Sequence, residues 1–275
     1  MRLKVMTYNV LFGFHERIDK TLVYQEQRAH AVRAVVRAEA PDVVALTEGA
    51  YCGYGGRVVR HDFAAMFDLP HVACVGFEGE WTNVLASRFP ILHAERLPLG
   101  SNSSGIRTSA LRATLDCEGR EVNIDIVHPS PRVAEAERLE AFAPLLATVR
   151  PPYILLGDFN ALSDEDDYTA ATLRAQMLDH VDEPEAIVAH MLDRKLIAGV
   201  RATGLVDTLA PQHRTHTIPT RLARGHATQG ARIRIDYIFV SQDVRVVHAE
   251  VVQRPPTDEA SDHYPVVATL ELGAP

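Results

Sequence analysis

The chain opens in regular alternation. Leu3, Val5 and Thr7 fall on one face of an extended segment and Lys4, Met6 and Tyr8 on the other, a period-2 strand that carries Asn9 on the same face as Leu3 and Val5. Over residues 21–40 the period lengthens. Leu22, Ala29, Val32 and Val36 recur at helical spacing, Arg28, Arg33 and Arg37 lie off that stripe, and Pro41-Asp42 ends the helix. Val43-Val44-Ala45-Leu46 is apolar on both faces, as a buried strand must be, and delivers Glu48 at its C-terminal end. Strand, helix and buried strand in succession predict an α/β fold.

A loop at 49–62, rich in Gly and Tyr and holding Arg57, Arg60 and His61, leads into a short predicted helix over 62–67. Strand patterns follow at 71–75, 82–87, 95–99 and 109–116, with a polar loop at 101–108. Val122, Ile124 and Ile126 then alternate with Asn123 and Asp125 and stop at His128, where Pro129 and Pro131 break the strand. A helix over 133–149 sets Leu139, Phe142, Leu146 and Val149 on one stripe. Tyr153-Ile154-Leu155-Leu156 is a second buried strand, ending at Gly157-Asp158-Phe159-Asn160. Two helical segments are expected between 166 and 196, and strands at 214–218, 232–240, 244–252 and 264–272. No linker, repeat or low-complexity tract intervenes, so residues 1–275 read as a single domain.

Composition narrows the class. With 47% apolar and 23% charged residues, the chain has the make-up of a soluble globular protein with a substantial core. Its 28 Lys and Arg against 36 Asp and Glu leave 28 − 36 = −8, a poor surface for sequence-independent binding of nucleic acid. Cys52, Cys74 and Cys117 are odd in number and lack CxxC spacing, which reads as free thiols in a reducing compartment. The N-terminus enters a strand at once, without the apolar core of a secretory signal, and no apolar run approaches the ~20 residues of a membrane span. A cytoplasmic location is expected, and nothing points to a protein partner.

The polar residues at strand ends carry the chemistry: Asn9, Glu48, His128, Asp158, Asn160, Asp262 and His263, with Asp236 inside the strand at 232–240 on the same face as Arg234. Four carboxylates, two amides and two imidazoles are the inventory of a Mg²⁺-dependent hydrolase, since hard cations select oxygen ligands. The lack of a His-x-x-His or cysteine cluster argues against zinc. Taken singly these residues have plainer readings: Asp158 as a turn cap, Asn160 in an Asx-turn, Asp236 as the ion-pair partner of Arg234. The acidic run at 164–167 reads as a solvated helix N-terminus, and His213, His216 and His226 as surface or loop histidines.

In order, Thr7-Tyr8-Asn9-Val10, Glu48, Ser87-Arg88-Phe89-Pro90-Ile91, His128, Gly157-Asp158-Phe159-Asn160, Arg234-Ile235-Asp236-Tyr237 and Ser261-Asp262-His263 form a series along nearly the whole chain. That series resembles the endonuclease/exonuclease/phosphatase (deoxyribonuclease I-like) superfamily. The resemblance implies a four-layer α/β sandwich, two packed mixed or antiparallel sheets flanked by helices. It also implies hydrolysis of a phosphate ester by in-line attack of an activated water, dependent on Mg²⁺ or Mn²⁺. Glu48, helped by Asn9 and Asp262, would hold the metal, and His263, oriented by Asp236, would face the phosphate. Asp158 and Asn160 would position or deprotonate the water, and His128 would touch a phosphate oxygen or assist the leaving group. Whether His263 or Asp158 takes the proton stays open.

Two departures stand out. Leu11 occupies the position two after Asn9 where some nuclease branches carry an acid, and 164–204 is a longer helical insertion that can wall the site against large substrates. Arg57, Arg88 and Arg107 are candidates for substrate contact. The expected activity is that of a phosphodiesterase on a small molecule or nucleic acid, with the charge of −8 disfavouring the latter. The alternatives are a nuclease acting on DNA or RNA and a non-catalytic binding module on the same scaffold.

Overall fold

The two runs that are apolar on both faces become central strands of two sheets. The computed structural model describes residues 1–18, 21–51, 61–75, 81–101, 107–177, 181–223 and 230–273. Its strands are β1 (Arg2–Asn9), β2 (His15–Ile18), β3 (Thr21–Tyr24), β4 (Val43–Tyr51), β5 (His71–Val75), β6 (Trp81–Ser87), β7 (Ile91–Ser101), β8 (Arg107–Asp116), β9 (Glu121–Val127), β10 (Tyr153–Asp158), β11 (Val206–Asp207), β12 (Asp236–Val240), β13 (Val244–Val251) and β14 (Val266–Leu272). The helices are α1 (Glu26–Glu39), α2 (Phe63–Phe67), α3 (Glu135–Leu146), α4 (Ala170–Gln176), α5 (Pro184–Met191), α6 (Lys195–Ala202) and α7 (Thr257–Ala260).

Two six-stranded sheets result, ordered β13-β14-β1-β4-β6-β5 and β7-β8-β9-β10-β12-β11. At the centre of each lies one parallel pair, β1 with β4 and β9 with β10, and every other neighbour is antiparallel. Parallel neighbours need a crossover, which α1 and α3 supply. The two sheets thus repeat one pattern of strand directions that no sequence repeat announces.

Alternation decides the layers. Leu3, Val5, Val43 and Ala45 of the first sheet meet Ile124, Ile126, Ile154 and Leu156 of the second in the inner core. Met6, Tyr8, Val44 and Leu46 point outward onto Val32 and Val36 of α1. Tyr153, Leu155 and Phe239 pack outward on Phe142 of α3 and on Ile197 and Val200 of α6. Each fully buried aliphatic side chain contributes roughly 1.5–3 kcal/mol. The result is helix, sheet, sheet, helix, the four-layer sandwich expected. Among the described residues no helix is long and apolar enough to cross a membrane.

The structure corrects several sequence expectations. The helix predicted from residue 21 begins at Glu26, because residues 21–24 pair with 15–18 in a hairpin, His15 opposite Tyr24. The two helices expected between 166 and 196 are α4 and α5, and a third that the pattern did not predict, α6, follows them. The strand expected at 214–218 is reduced to one bridge, Ile218 to Ile233, and β12 starts only at Asp236. Arg234 therefore precedes the strand, and it does not pair with Asp236. Its fully buried guanidinium forks onto Asp166 (2.9 Å twice), reaches Asp207 (2.6 Å) and lies over the Tyr237 ring. Nor is the acidic run a solvated helix start. Asp166 is buried against Arg234, Asp164 and Glu165 bind Arg201, and α4 begins later, capped by Thr169.

Candidate active site

Because each central pair is parallel, its two C-terminal ends emerge on the same edge of the sandwich. The first sheet brings Asn9, last of β1, and Glu48; the second brings Asp158, last of β10, and His128, one residue past β9. Antiparallel β12 begins where β10 ends, so Asp236 stands opposite Asp158 in the ladder. Glu48 is aimed by an irregularity in β4. Leu46 pairs with Val84 and Ala50 with Thr82, so three residues of β4 oppose one of β6, and Glu48 takes φ 54°. After β1 the chain makes one left-handed turn, Leu11–Phe14, with φ of 47°, 53°, 54° and 67°. This turn folds the Leu11 N–H onto Asn9 Oδ1 (3.0 Å) and the Phe12 N–H onto Glu48 Oε2 (2.8 Å).

Asp158 is the hub of the cluster. Its Oδ1 accepts the Asn160 N–H (2.9 Å), and its Oδ2 accepts Asn9 Nδ2 (3.0 Å) with His128 Nε2 at 3.5 Å and His263 Nε2 at 3.7 Å. Asn9 Nδ2 also lies 3.4 Å from Glu48 Oε1, and His128 Nε2 is 3.8 Å from the same oxygen. On its far side the His263 ring bonds through Nδ1 to Asp236 Oδ2 (2.8 Å). Ser261 Oγ donates to the Asn9 carbonyl (2.6 Å), with Asp262 Oδ1 at 3.2 Å, tying the late loop to the end of β1.

Burial sets the charges. It pushes the Asp158 carboxyl up, and Asp236 adds to this, while His263 and His128 pull part of it back. Burial likewise raises Asp262, with Glu48 adding to it against the pull of His263. Burial would by itself strip His263 of its proton, but Asp236, Asp262 and Asp158 together hold the imidazole well above its ordinary range. The donors suit a hard divalent cation. Glu48, Asp158, Asp236 and Asp262 outnumber the imidazoles, and Asp236 Oδ1 is buried with no hydrogen-bond partner among the described residues. Ligand atoms of Asp158, Asp236 and His263 lie within 4.8 Å of one another. The Asp236–His263 hydrogen bond already engages two of that trio, which leaves Glu48 and Asp262 as the freer carboxylates.

Asn9, Glu48, His128, Asp158, His263 and Asp236 are thus linked into one cluster, contact by contact, around Asp158. Asp262 adjoins through Ser261. Asn160 adjoins through its backbone: its N–H donates to Asp158 in an Asx turn, it sits at φ 49°, and its Nδ2 donates to the Pro129 carbonyl (3.1 Å) beside His128. Arg88 does not belong to the cluster. It pairs with Asp42 (3.2 Å) and stacks on Phe89 at the opposite end of β4, six residues from Glu48 and so about 20 Å away. Arg57 lies outside the described residues, as do His226 and Cys52, and so does the side chain of Arg107. His213 and His216 lie in the 211–217 connection.

Three supporting residues escaped the pattern reading. Thr217, fully buried, accepts the Ile235 and Asp236 N–H groups on its hydroxyl (3.1 and 3.3 Å), and its carbonyl accepts the Tyr264 N–H (2.7 Å). Arg138 holds the Phe159 and Asn160 carbonyls (2.9 Å each). Arg28 holds the carbonyls that flank the left-handed turn. A hint was present for the last: Arg28 stands one turn before Val32 on the buried side of the helix.

Sandwich and cluster together define a class, an α/β fold whose paired sheets converge on one acidic, imidazole-bearing edge. The chain belongs to the Endonuclease/Exonuclease/phosphatase family, whose model matches residues 6–263. Members of this family are phosphoester hydrolases, nucleases and phosphatases among them. Among solved structures the chain is similar to an endonuclease/exonuclease/phosphatase from Beutenbergia cavernae, at 23% identity over 99% of this chain and 72% of that one, TM-score 0.66. It is also similar to an AP endonuclease from Archaeoglobus fulgidus (20%; 98% and 100%; TM-score 0.68). A third likeness is to D. rerio TDP2 complexed with single strand DNA product (16%; 98% and 99%; TM-score 0.64). At these identities the likenesses establish the fold. No curated protein matches the chain in sequence.

Proposed function

We propose that this protein hydrolyses a phosphodiester with the aid of Mg²⁺ or Mn²⁺, residues 1–275 acting as one catalytic domain. The observation that carries the reading is the convergence on Asp158 Oδ2 of Asn9, His128 and His263 from both sheets, with His263 braced by Asp236. Glu48 and Asp262 would hold the ion, helped by the Asn9 amide oxygen, which accepts the Leu11 N–H with one of its two lone pairs. When bound, the cation neutralises charge on the phosphate.

The remaining steps fall to the chain's own groups. His263, kept protonated by its three carboxylates, donates to a phosphate oxygen and stabilises the charge that develops there. Asp158, whose proton affinity burial has raised, is the better acceptor for the proton of the attacking water. Asn160 serves by fixing the Asp158 loop against Pro129. His128, partly exposed, is placed to meet a phosphate oxygen or the leaving group. Arg57 and Arg107 stay candidates for substrate contact.

A small diester suits the net charge of −8. The insertion supports this too: His190 on α5 bonds to the Pro131 carbonyl (2.9 Å), which sets α5 beside the segment that follows His128. The nuclease reading draws on the likeness to the archaeal AP endonuclease across the whole of that chain. A cytoplasmic setting accords with Cys117, a buried free thiol.

The test is a panel of aryl phosphodiesters, aryl phosphomonoesters, single- and double-stranded DNA and RNA, with and without Mg²⁺ or Mn²⁺. Diester turnover that needs metal and falls at least ~100-fold in His263→Ala supports the proposal. Preferential cleavage of DNA or RNA selects the nuclease. Full activity in His263→Ala overturns the role given to the imidazole. No metal-dependent turnover of any ester leaves the binding module.

A further inference from the structure

Arg28 is an unusual buried charge. It stands in the first turn of α1, 7% exposed, and among the described residues none of its hydrogen bonds goes to a carboxylate. All four go to backbone carbonyls instead. Nη2 donates to Val10 (2.9 Å) and Leu11 (3.0 Å), Nη1 to His15 (3.0 Å), and Nε to Ala260 (3.3 Å).

Those carbonyls bracket the metal side of the site. Val10 and Leu11 follow Asn9 and begin the left-handed turn, and His15 ends it. Ala260 is the last residue of α7, directly before Ser261 and Asp262. Left-handed backbone is strained at each of the non-glycine residues Leu11, Phe12 and Phe14, so the turn persists only where its surroundings enforce it. The turn in turn presents the amides that set Asn9 and Glu48. One planar fork with several fixed donors therefore joins the two chain segments that carry Asn9 and Asp262, the first of which also holds Glu48 through the Phe12 N–H, and a lysine cannot reproduce it.

We propose that Arg28 is the positioning residue of the metal site, its guanidinium fixing the left-handed turn and the Ala260 carbonyl so that Glu48, Asn9 and Asp262 converge on one cation. This rests on the metal reading above and adds to it a residue that touches neither ion nor substrate. Geometry and charge make opposite demands. A buried cation beside Glu48 and Asp262 repels a second cation, so if Arg28 acted only as charge, removing it would tighten metal binding. As a positioning group, its removal loosens binding.

The experiment is a titration of Mn²⁺ onto the protein, followed by electron paramagnetic resonance of the free ion, alongside thermal melts. Arg28→Lys keeps the charge and loses the fork, and its Mn²⁺ affinity is expected to fall at least ~10-fold, about 1.4 kcal/mol. Arg28→Met, which loses the repelling charge along with the fork, is expected to fall as well. Arg112→Met supplies the stability control. The hydrogen bonds of Arg112 go to Asp125, Thr148 and the Leu145 carbonyl and to none of Asn9, Glu48 and Asp262, so its loss lowers the melting temperature without changing Mn²⁺ affinity. Unchanged or tighter binding in a folded Arg28→Lys overturns the proposal, as does an equal loss in Arg112→Met. Should Arg28→Met fail to fold, Arg28→Lys decides alone. A wild-type protein that binds no Mn²⁺ overturns the metal reading and this inference together, whereas wild-type binding with unaltered variants overturns only the inference.

Discussion

Gly157 offers the sharpest test of how the cluster is held. It lies in β10 at φ 141°, a conformation that L side chains rarely adopt. A Cβ added there would stand 2.0 Å from the Val127 carbonyl oxygen, 1.0 Å inside the 3.0 Å that real Cβ atoms essentially never breach. The obstacle is backbone, so no rotamer change relieves it. Gly157→Ala must carry the backbone strain, about 1–3 kcal/mol, and forfeit a β9–β10 ladder hydrogen bond or two at about 1 kcal/mol each. The total is roughly 4 kcal/mol. For a chain of this size about 2–4 °C accompanies each kcal/mol, so the melting temperature should fall by roughly 8–16 °C.

Asp158 is the next residue, and a shift of ~1 Å at a catalytic group costs on the order of 100-fold in rate. Gly119→Ala is the matched control, since Gly119 also has positive φ (85°) but nothing within 4 Å of an added Cβ. Circular-dichroism melts of both variants, with rates on an aryl phosphodiester, separate clash from backbone strain. Gly157→Ala melting no lower than Gly119→Ala, at a rate within about twofold of wild type, would refute the reasoning.

Two further outcomes are expected. Asp236→Asn removes the carboxylate that does most to hold the His263 proton, so the alkaline fall in rate should move to lower pH, read from a rate profile between about pH 6 and pH 10; an unmoved limb refutes the assignment of His263 as the cationic group. The sign carries over to stability: this raised imidazole contributes fully below its ordinary value of ~6.5, and the contribution is lost as pH climbs through the higher folded value. Arg234→Met leaves Asp166 and Asp207 only the longer contacts of Arg214 (3.6 and 3.8 Å) and should cost up to about 3 kcal/mol in urea unfolding, whereas a loss under ~1 kcal/mol would show that the Arg234 pairs are not what holds this corner.

Periodicity alone identified the central strands, their crossover helices and the polar residues at the strand ends, because both properties are local: side chains alternate along a strand and recur every turn of a helix. The Gly-Asp-Phe-Asn ending of β10 was legible for the same reason, its glycine answering to one close approach. Tertiary structure decided which of these residues meet. Asn9 and Asp158 are 149 positions apart, and His263 and Asp236 are 27 apart, separations on which no local pattern bears. It also decided between rival partners. Arg234 could have taken Asp236, but in the interior its fork is filled by Asp166 and Asp207, and that leaves Asp236 for the imidazole. Arg28 reads in sequence as one of three polar helix residues. Only the left-handed turn folded over it makes its guanidinium a clamp, since a buried donor must find its acceptors among whatever backbone the rest of the fold brings within reach.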